Sequence, residues 1–377
     1  MRFPPSPVRS IFRAAPIQDV SLRITLRPLA LLTLAMIPAA RLEAQSFTWK
    51  SLVTFYGDNT EFFNPYRTGE TILGGQFQTW LSIEPGRRTE VIAGVFGDHR
   101  SGDDSFLDPV KPLLGFRYHT DHSLGALGTL VTENRHGYLE PLEVTTLEFT
   151  RPIEYGIQWR ERRGWLDGEL YLNWQHLNTP DSREIFDYGL NLAVRPIRQV
   201  SLEYQSHGLH HGGQLYDVGP VTNNFASGIG LGLTERFRWI DSTSLRLFYL
   251  HSHGNIDSIV PAGRPDQGHG TYLRLGITPG NWCDLWMIQW WGKDYLAQEG
   301  DNNYNSVGSD PGYYKSDRRY QEYGFGKSVL IDHAVTARGE LRFHRIDDLS
   351  SISIGTSKWE YSYRITAVIP IGVRISH

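Results

Sequence analysis

A single cysteine, Cys283, stands among 377 residues. No intramolecular disulfide can form, and no cysteine-based zinc site is available. Long apolar runs are missing too. Past residue 45 nothing approaches the roughly 20 apolar residues that a membrane-spanning helix needs, which excludes an α-helical membrane protein. Positive charge is not in excess: 37 Lys and Arg face 41 Asp and Glu. Six of those basic residues but only two of the acids lie in residues 1–44, so the remainder is more acidic than the whole-chain net charge of -4. That balance excludes nucleic acid as a partner. No repeat of blade length marks a propeller.

What is present begins with an export signal. Arg23 and Arg27 precede the apolar core Leu29 to Ile37, and Leu42-Glu43-Ala44 before Gln45 reads as a cleavage site. The expected organisation is a removable signal over residues 1–44 and one domain over 45–377. Aromatic residues make up 12% of the chain, enough for belts at two membrane interfaces.

From about Phe47 onward, short runs alternate apolar and polar residues with the period of a strand. Phe186, Tyr188, Leu190, Leu192 and Val194 share one face; Asp187, Asn191 and Arg195 share the other. About sixteen such runs are separated by connections of alternating length. Short ones such as Glu84 to Arg87 and Pro196 to Arg198 carry turn residues. Long ones cover 57–69, 97–106, 133–151, 176–184, 207–222, 252–269, 292–318 and 345–357. The pattern predicts an all-β fold, a closed antiparallel transmembrane barrel running up and down in an outer membrane, with short periplasmic turns and long extracellular loops. The apolar face meets lipid, where a Lys or Arg at mid-depth would cost about 2–4 kcal/mol. Lys327 breaks the pattern by sharing parity with Tyr323, Phe325 and Val329.

The wet face supplies candidate lumen residues of both signs: Glu169, Glu203, Arg246, Arg274, Arg338, Glu340, Arg342, Glu360 and Arg364. Opposed charges across a pore make a transverse field that selects solutes; the same residues could instead pair and fill the interior. Sixteen strands ordinarily leave an aqueous lumen. In length, hairpin count and aromatic girdles such as Tyr155, Trp159, Trp165 and Trp174, the chain over about 46–377 resembles the sixteen-stranded porins of Gram-negative outer membranes. That resemblance implies passive diffusion of small hydrophilic solutes, insertion by the barrel-assembly machinery, contact with outer-membrane lipid and lipopolysaccharide, and in many members a homo-oligomer. The acidic motif that folds the family's third loop into the pore has no match in Glu133 to Tyr138, so neither a constriction loop nor a trimer is carried over.

Two loop clusters carry other chemistry. His207, His210, His211, His251, His253 and His269 fall in neighbouring long connections, and imidazoles are good ligands for zinc-like metals. The spacing matches no fixed metalloenzyme motif. The longest connection, 292–318, holds Asp294, Glu299, Asp301, Asp310 and Asp317, oxygen ligands of the kind that hold a divalent cation. It lacks the calcium-loop pattern and reads as an acidic lid. No cofactor is otherwise implied. A barrel enzyme of lipase or protease type is the alternative to a channel. Ser206 beside His207, and Ser252 between His251 and His253, supply a nucleophile and a base. Neighbours on a strand point to opposite faces, however, so these pairs cannot meet. A dedicated exporter or structural barrel is a third class. The expectation is therefore a channel and not an enzyme.

Overall fold

The computed structural model describes residues 46–254, 264–280, 282–309, 313–346 and 358–375. The signal over 1–44 lies outside the described residues. Sixteen strands follow one another: β1 (Ser46–Glu61), β2 (Glu70–Gly86), β3 (Thr89–Arg100), β4 (Val110–His119), β5 (Ser123–Thr129), β6 (Tyr155–Arg162), β7 (Leu166–His176), β8 (Glu184–Ile197), β9 (Val200–Gly212), β10 (Thr222–Phe237), β11 (Ile240–His253), β12 (Gln267–Thr278), β13 (Asp284–Lys293), β14 (Asp317–Ile331), β15 (Val335–Ile346) and β16 (Trp359–Ile375). Each pairs antiparallel with the next, and β1 pairs with β16, so the sheet closes with no free edge. Closure matters because a backbone donor unpaired in hydrocarbon costs several kcal/mol.

The outer face is apolar, as the alternation predicts. Leu170 and Trp174 on β7, and Tyr361, Tyr363 and Ile365 on β16, are exposed. Trp165, Trp239 and Trp282 ring the short-turn end, and Trp174, Trp291 and Trp359 the long-connection end, the two belts expected at membrane interfaces. Lys327 points outward without any slip, because the β14–β15 register runs unbroken from Tyr320↔Ile346 to Ile331↔Val335. It lies near the short-turn end, where a long side chain can reach water. Ile365, near the middle of β16, makes a direct test of this outer face. Ile365→Arg should cost about 2–4 kcal/mol, whereas Thr366→Arg, on the inner face, should cost little. Urea unfolding of both variants in lipid vesicles measures the difference.

The interior departs from the expected open lumen. At the long-connection end it is filled by two inward-folded connections, 130–154 and the described residues of 294–316. They carry Leu139, Leu142, Tyr295, Ala297 and Tyr304 into a core with inward residues of β10 to β15, including Phe248, Leu250, Trp286, Ile288 and Trp290. Tyr295, Tyr304 and Trp290 are each 0% exposed, so the described residues of 292–318 are packed filling and not an acidic lid; Asp310 lies outside the described residues. The two connections pair with each other: Val144 N–H donates to the Glu299 carbonyl at 2.7 Å, and Asp301 N–H to the Glu140 carbonyl at 2.8 Å.

The first connection is braced by charge within itself and at its junction with β6, and His136 ties it to Glu169 on the β7 wall. Arg135 binds Glu143 and Glu154, His136 binds Glu154 at 2.7 Å and also Glu169, and Arg160 reaches Glu169 at 2.7 Å. The His136 ring stacks on Tyr171 at 3.8 Å. Arg135 and His136 take left-handed backbone angles (φ 42° and 57°), which cost bulky residues of order 1–3 kcal/mol each; the ion pairs offset that strain. Tyr138 then lies over Gly189, donating to the Ser206 carbonyl at 2.9 Å. A Cβ at Gly189 would fall on the Tyr138 hydroxyl. Gly189→Val should therefore expel this connection while leaving the barrel closed, seen as new protease cleavage within 130–154 of a protein that still migrates as a folded barrel.

Candidate active site

Strand register decides which inner-face residues can meet. Directly opposite residues have Cβ atoms about 5 Å apart, and diagonal ones about 7–8 Å apart, within reach of long side chains. Glu322 on β14 faces His344 on β15. His344 faces Glu360 on β16, which puts Ser362 on its diagonal. Glu360 itself turns away, accepting from Phe63 N–H at 2.7 Å and Asn64 Nδ2 at 2.5 Å. His344 is thus free to meet Ser362.

It does so with Nε2 at 2.8 Å from Ser362 Oγ. Nδ1 lies 2.6 Å from the Tyr320 hydroxyl, which in turn donates to Glu322 Oε2 at 3.0 Å. Glu322 Oε1 accepts from Trp286 Nε1 at 2.7 Å. Because Tyr320 spends its proton on Glu322, its oxygen accepts from His344 Nδ1–H. Nε2 is left as the acceptor for the Ser362 hydroxyl, the tautomer that the network assigns. The imidazole is stacked beside Tyr320 and held edge-on by Phe62 at 4.8 Å between centroids. A nucleophile, a base and an orienting group are therefore aligned in series, the arrangement that activates a hydroxyl.

Ser362 and His344 line a pocket at the long-connection end together with Asp58, Asp301 and three arginines, Arg67, Arg342 and Arg364. Each guanidinium is fixed by carboxylates. Arg67 binds Asp301; Arg342 binds Glu140 at 2.5 Å and Glu340 at 2.8 Å; Arg364 binds Asp58 at 2.5 Å. Burial pushes the Asp301 carboxyl above its ordinary range, while the Arg67 guanidinium opposes that shift. The pocket is polar and donor-rich.

The lumen candidates prove to be paired. Besides Arg342, Arg364 and Glu360, Glu169 joins the His136 network, and Glu203 binds Arg246 at 2.5 Å. Arg338 joins Glu340 at 2.6 Å and Asp284 at 3.3 Å, and Arg274 lies over the Trp286 ring at 5.7 Å. The six histidines lie near the long-connection ends of β9, β11 and β12, but their side chains do not share one face. They belong to strands, since β9 and β11 run on through Gly212 and His253. Alternation sends His207 inward, where it is buried. His210 points outward and bonds Asn223, His253 meets Asp266 at 3.1 Å, and His251 is the register partner of His269 on the exposed face. His211 shares the inner parity of His207. Ser206 and Ser252 do not pair with their neighbouring histidines: Ser252 Oγ accepts from Leu296 N–H at 3.0 Å.

Ser362, His344 and Glu322 belong to no sequence motif, and nothing in the sequence singles out any of them; only their inner-face parity on β16, β15 and β14 marks them. Knowing the β14–β15–β16 register would have been enough to join them.

No curated protein matches this chain. Among solved structures it is similar to a loop-deletion mutant of OmpT, an outer membrane protein of Vibrio cholerae, at 8% identity and TM-score 0.51, covering 87% of this chain and 100% of that one. It is likewise similar to the anion-selective porin from Comamonas acidovorans, at 11% identity and TM-score 0.50, covering 87% and 100%. These likenesses carry the barrel fold. The family match decides the function class and corrects the expectation of a non-enzymatic channel for small hydrophilic solutes, because the family is one of hydrolases; the packed interior supplies the physical reason. Residues 42–374 match the model of the lipid A 3'-O-deacylase type, and the chain belongs to that family of outer-membrane barrels.

Proposed function

We propose that this chain hydrolyses an acyl ester of lipid A, with Ser362 as nucleophile and His344 as its general base. The observation that carries the reading is the hydrogen-bonded series Ser362–His344–Tyr320–Glu322 at the pocket wall. His344 Nε2 takes the hydroxyl proton as Ser362 Oγ attacks the ester carbonyl. The imidazolium returns that proton to the departing sugar hydroxyl, leaving an acyl-serine. Water, deprotonated by His344, then releases the fatty acid. Tyr320 passes the influence of Glu322 to Nδ1, steadying the imidazolium. The arginine-lined pocket suits a phosphorylated sugar headgroup, since planar guanidinium donors match phosphate oxygens. Its place at the long-connection end fits access from the outer leaflet, with the short turns in the periplasm.

Covalent trapping tests this reading. An alkyl fluorophosphonate should label Ser362, identified by peptide mass spectrometry, and should block ester hydrolysis. Full activity in protein labelled at Ser362, or loss of activity with the label on another residue, would remove Ser362 from the mechanism.

A further inference from the structure

A second group of side chains lies on the opposite wall, away from Ser362. Asp187 on β8, His207 on β9 and Glu299 from the inward-folded 294–316 connection each present one ligand atom, all within 4.8 Å of one another. His207 Nε2 is 3.5 Å from Asp187 Oδ2 and 3.3 Å from Glu299 Oε2. All three atoms are buried without a hydrogen-bond partner. The residues themselves are only 0%, 4% and 9% exposed. An orphaned buried carboxylate oxygen is costly, and here two converge with an orphaned imidazole nitrogen.

The other carboxylate oxygens are well satisfied. Asp187 Oδ1 accepts from Asn173 Nδ2 at 2.7 Å and Gln175 Nε2 at 2.6 Å. Glu299 Oε1 accepts from Arg151 Nη1 at 2.6 Å and Gln175 Nε2 at 3.0 Å. Each carboxylate is thus anchored through one oxygen and turned so that the other faces the common centre. This is how outer partners orient metal ligands. Ligand atoms about 2.0–2.1 Å from a tetrahedral ion stand about 3.4 Å apart, close to the two separations from His207. A mixed set of one imidazole and two carboxylates suits a zinc-type ion better than calcium, which takes six to eight oxygens.

We infer that Asp187, His207 and Glu299 bind one divalent zinc-type cation, with a fourth position left for water. Two carboxylates neutralise the ion, and the metal clips the 294–316 connection to the β8–β9 wall. The inference does not rest on the Ser362 reading, and its readout is metal content.

The folded full-length barrel, purified in detergent, is stripped with a chelator and then exposed to zinc chloride or cobalt chloride. After desalting, about one zinc per chain is expected, and cobalt should give the visible absorption bands of a tetrahedral site. Asp187→Asn and Glu299→Gln should each weaken zinc binding by about 10–100-fold while retaining the gel mobility of the folded barrel. If either fails to fold, His207→Gln is read in the same way. Wild-type protein that takes up no zinc and shows no cobalt bands would overturn the inference. It would leave the group as the His207 imidazole in contact with the two carboxylates and no ion. Equal zinc uptake by wild type and folded variants would overturn it as well.

Discussion

Replacing Ser362 by alanine is expected to lower lipid ester hydrolysis by about three orders of magnitude or more, with the barrel intact. The magnitude follows from what the hydroxyl does: without it there is no acyl intermediate, and residual turnover falls to whatever positioning and water attack supply. His344→Gln should fall about as far, since members of such a unit act together and their losses do not add. Tyr320→Phe provides a finer reading. It keeps the ring stacked on His344 but removes the link to Glu322, so about 10–100-fold in kcat should be lost, with KM little changed. A rise in KM with kcat unchanged would mean that Tyr320 only shapes the pocket.

Breaking the ion network beneath the first inward-folded connection should have the largest structural effect. Burial alone would lower the pKa of His136, but Glu154 and Glu169 outweigh it and push it up to about 10. Burial alone would raise that of Glu154, but His136 and Arg135 hold it at about 2. Glu154→Ala leaves Arg135 and His136 buried without their shared partner, and should weaken docking of the 130–154 connection by about 3–5 kcal/mol. Limited proteolysis of this connection reads that loss directly. The pH dependence follows from the same shifts. His136, raised above its ordinary 6.5, contributes stability that is full below that pH and lost as the pH climbs through about 10. Glu154, lowered below its ordinary 4.5, contributes stability that is full above that pH and lost as the pH falls through about 2. Docking should accordingly be firmest between about pH 4.5 and 6.5 and loosen on both sides. Protection that rises steadily from pH 6.5 to 10 would contradict this assignment.

The barrel was legible because its signals are local. On β7, Leu170 and Trp174 alternate with Glu169, Tyr171 and Asn173, and the outward set is exposed while Tyr171 and Asn173 are buried. Short turns between such runs fixed the pairing, and the even count closed the sheet. The filled interior was not legible. On β13 the inward residues Trp286, Ile288 and Trp290 are as apolar as the outward Leu285, Met287 and Trp291, so no alternation marks a core inside the barrel. The inward-folded connections have no period at all, and their docking depends on single residues such as Gly189 and Tyr138. The site was hidden for a related reason. Glu322, His344 and Ser362 lie on three strands, and a slip of one residue would reverse every face. Sequence neighbours such as Ser206 and His207 therefore looked like chemistry, whereas the contacts His344 makes with Ser362 and Tyr320 span 18 and 24 residues.

The most direct measurement is mass spectrometry of lipid A incubated with the folded wild-type barrel and, side by side, with Ser362→Ala. The wild type should convert lipid A to a species lighter by one ester-linked acyl chain, with the matching free fatty acid, and the variant should leave it unchanged. Unaltered lipid A with the wild type, or equal conversion by both proteins, would contradict the account.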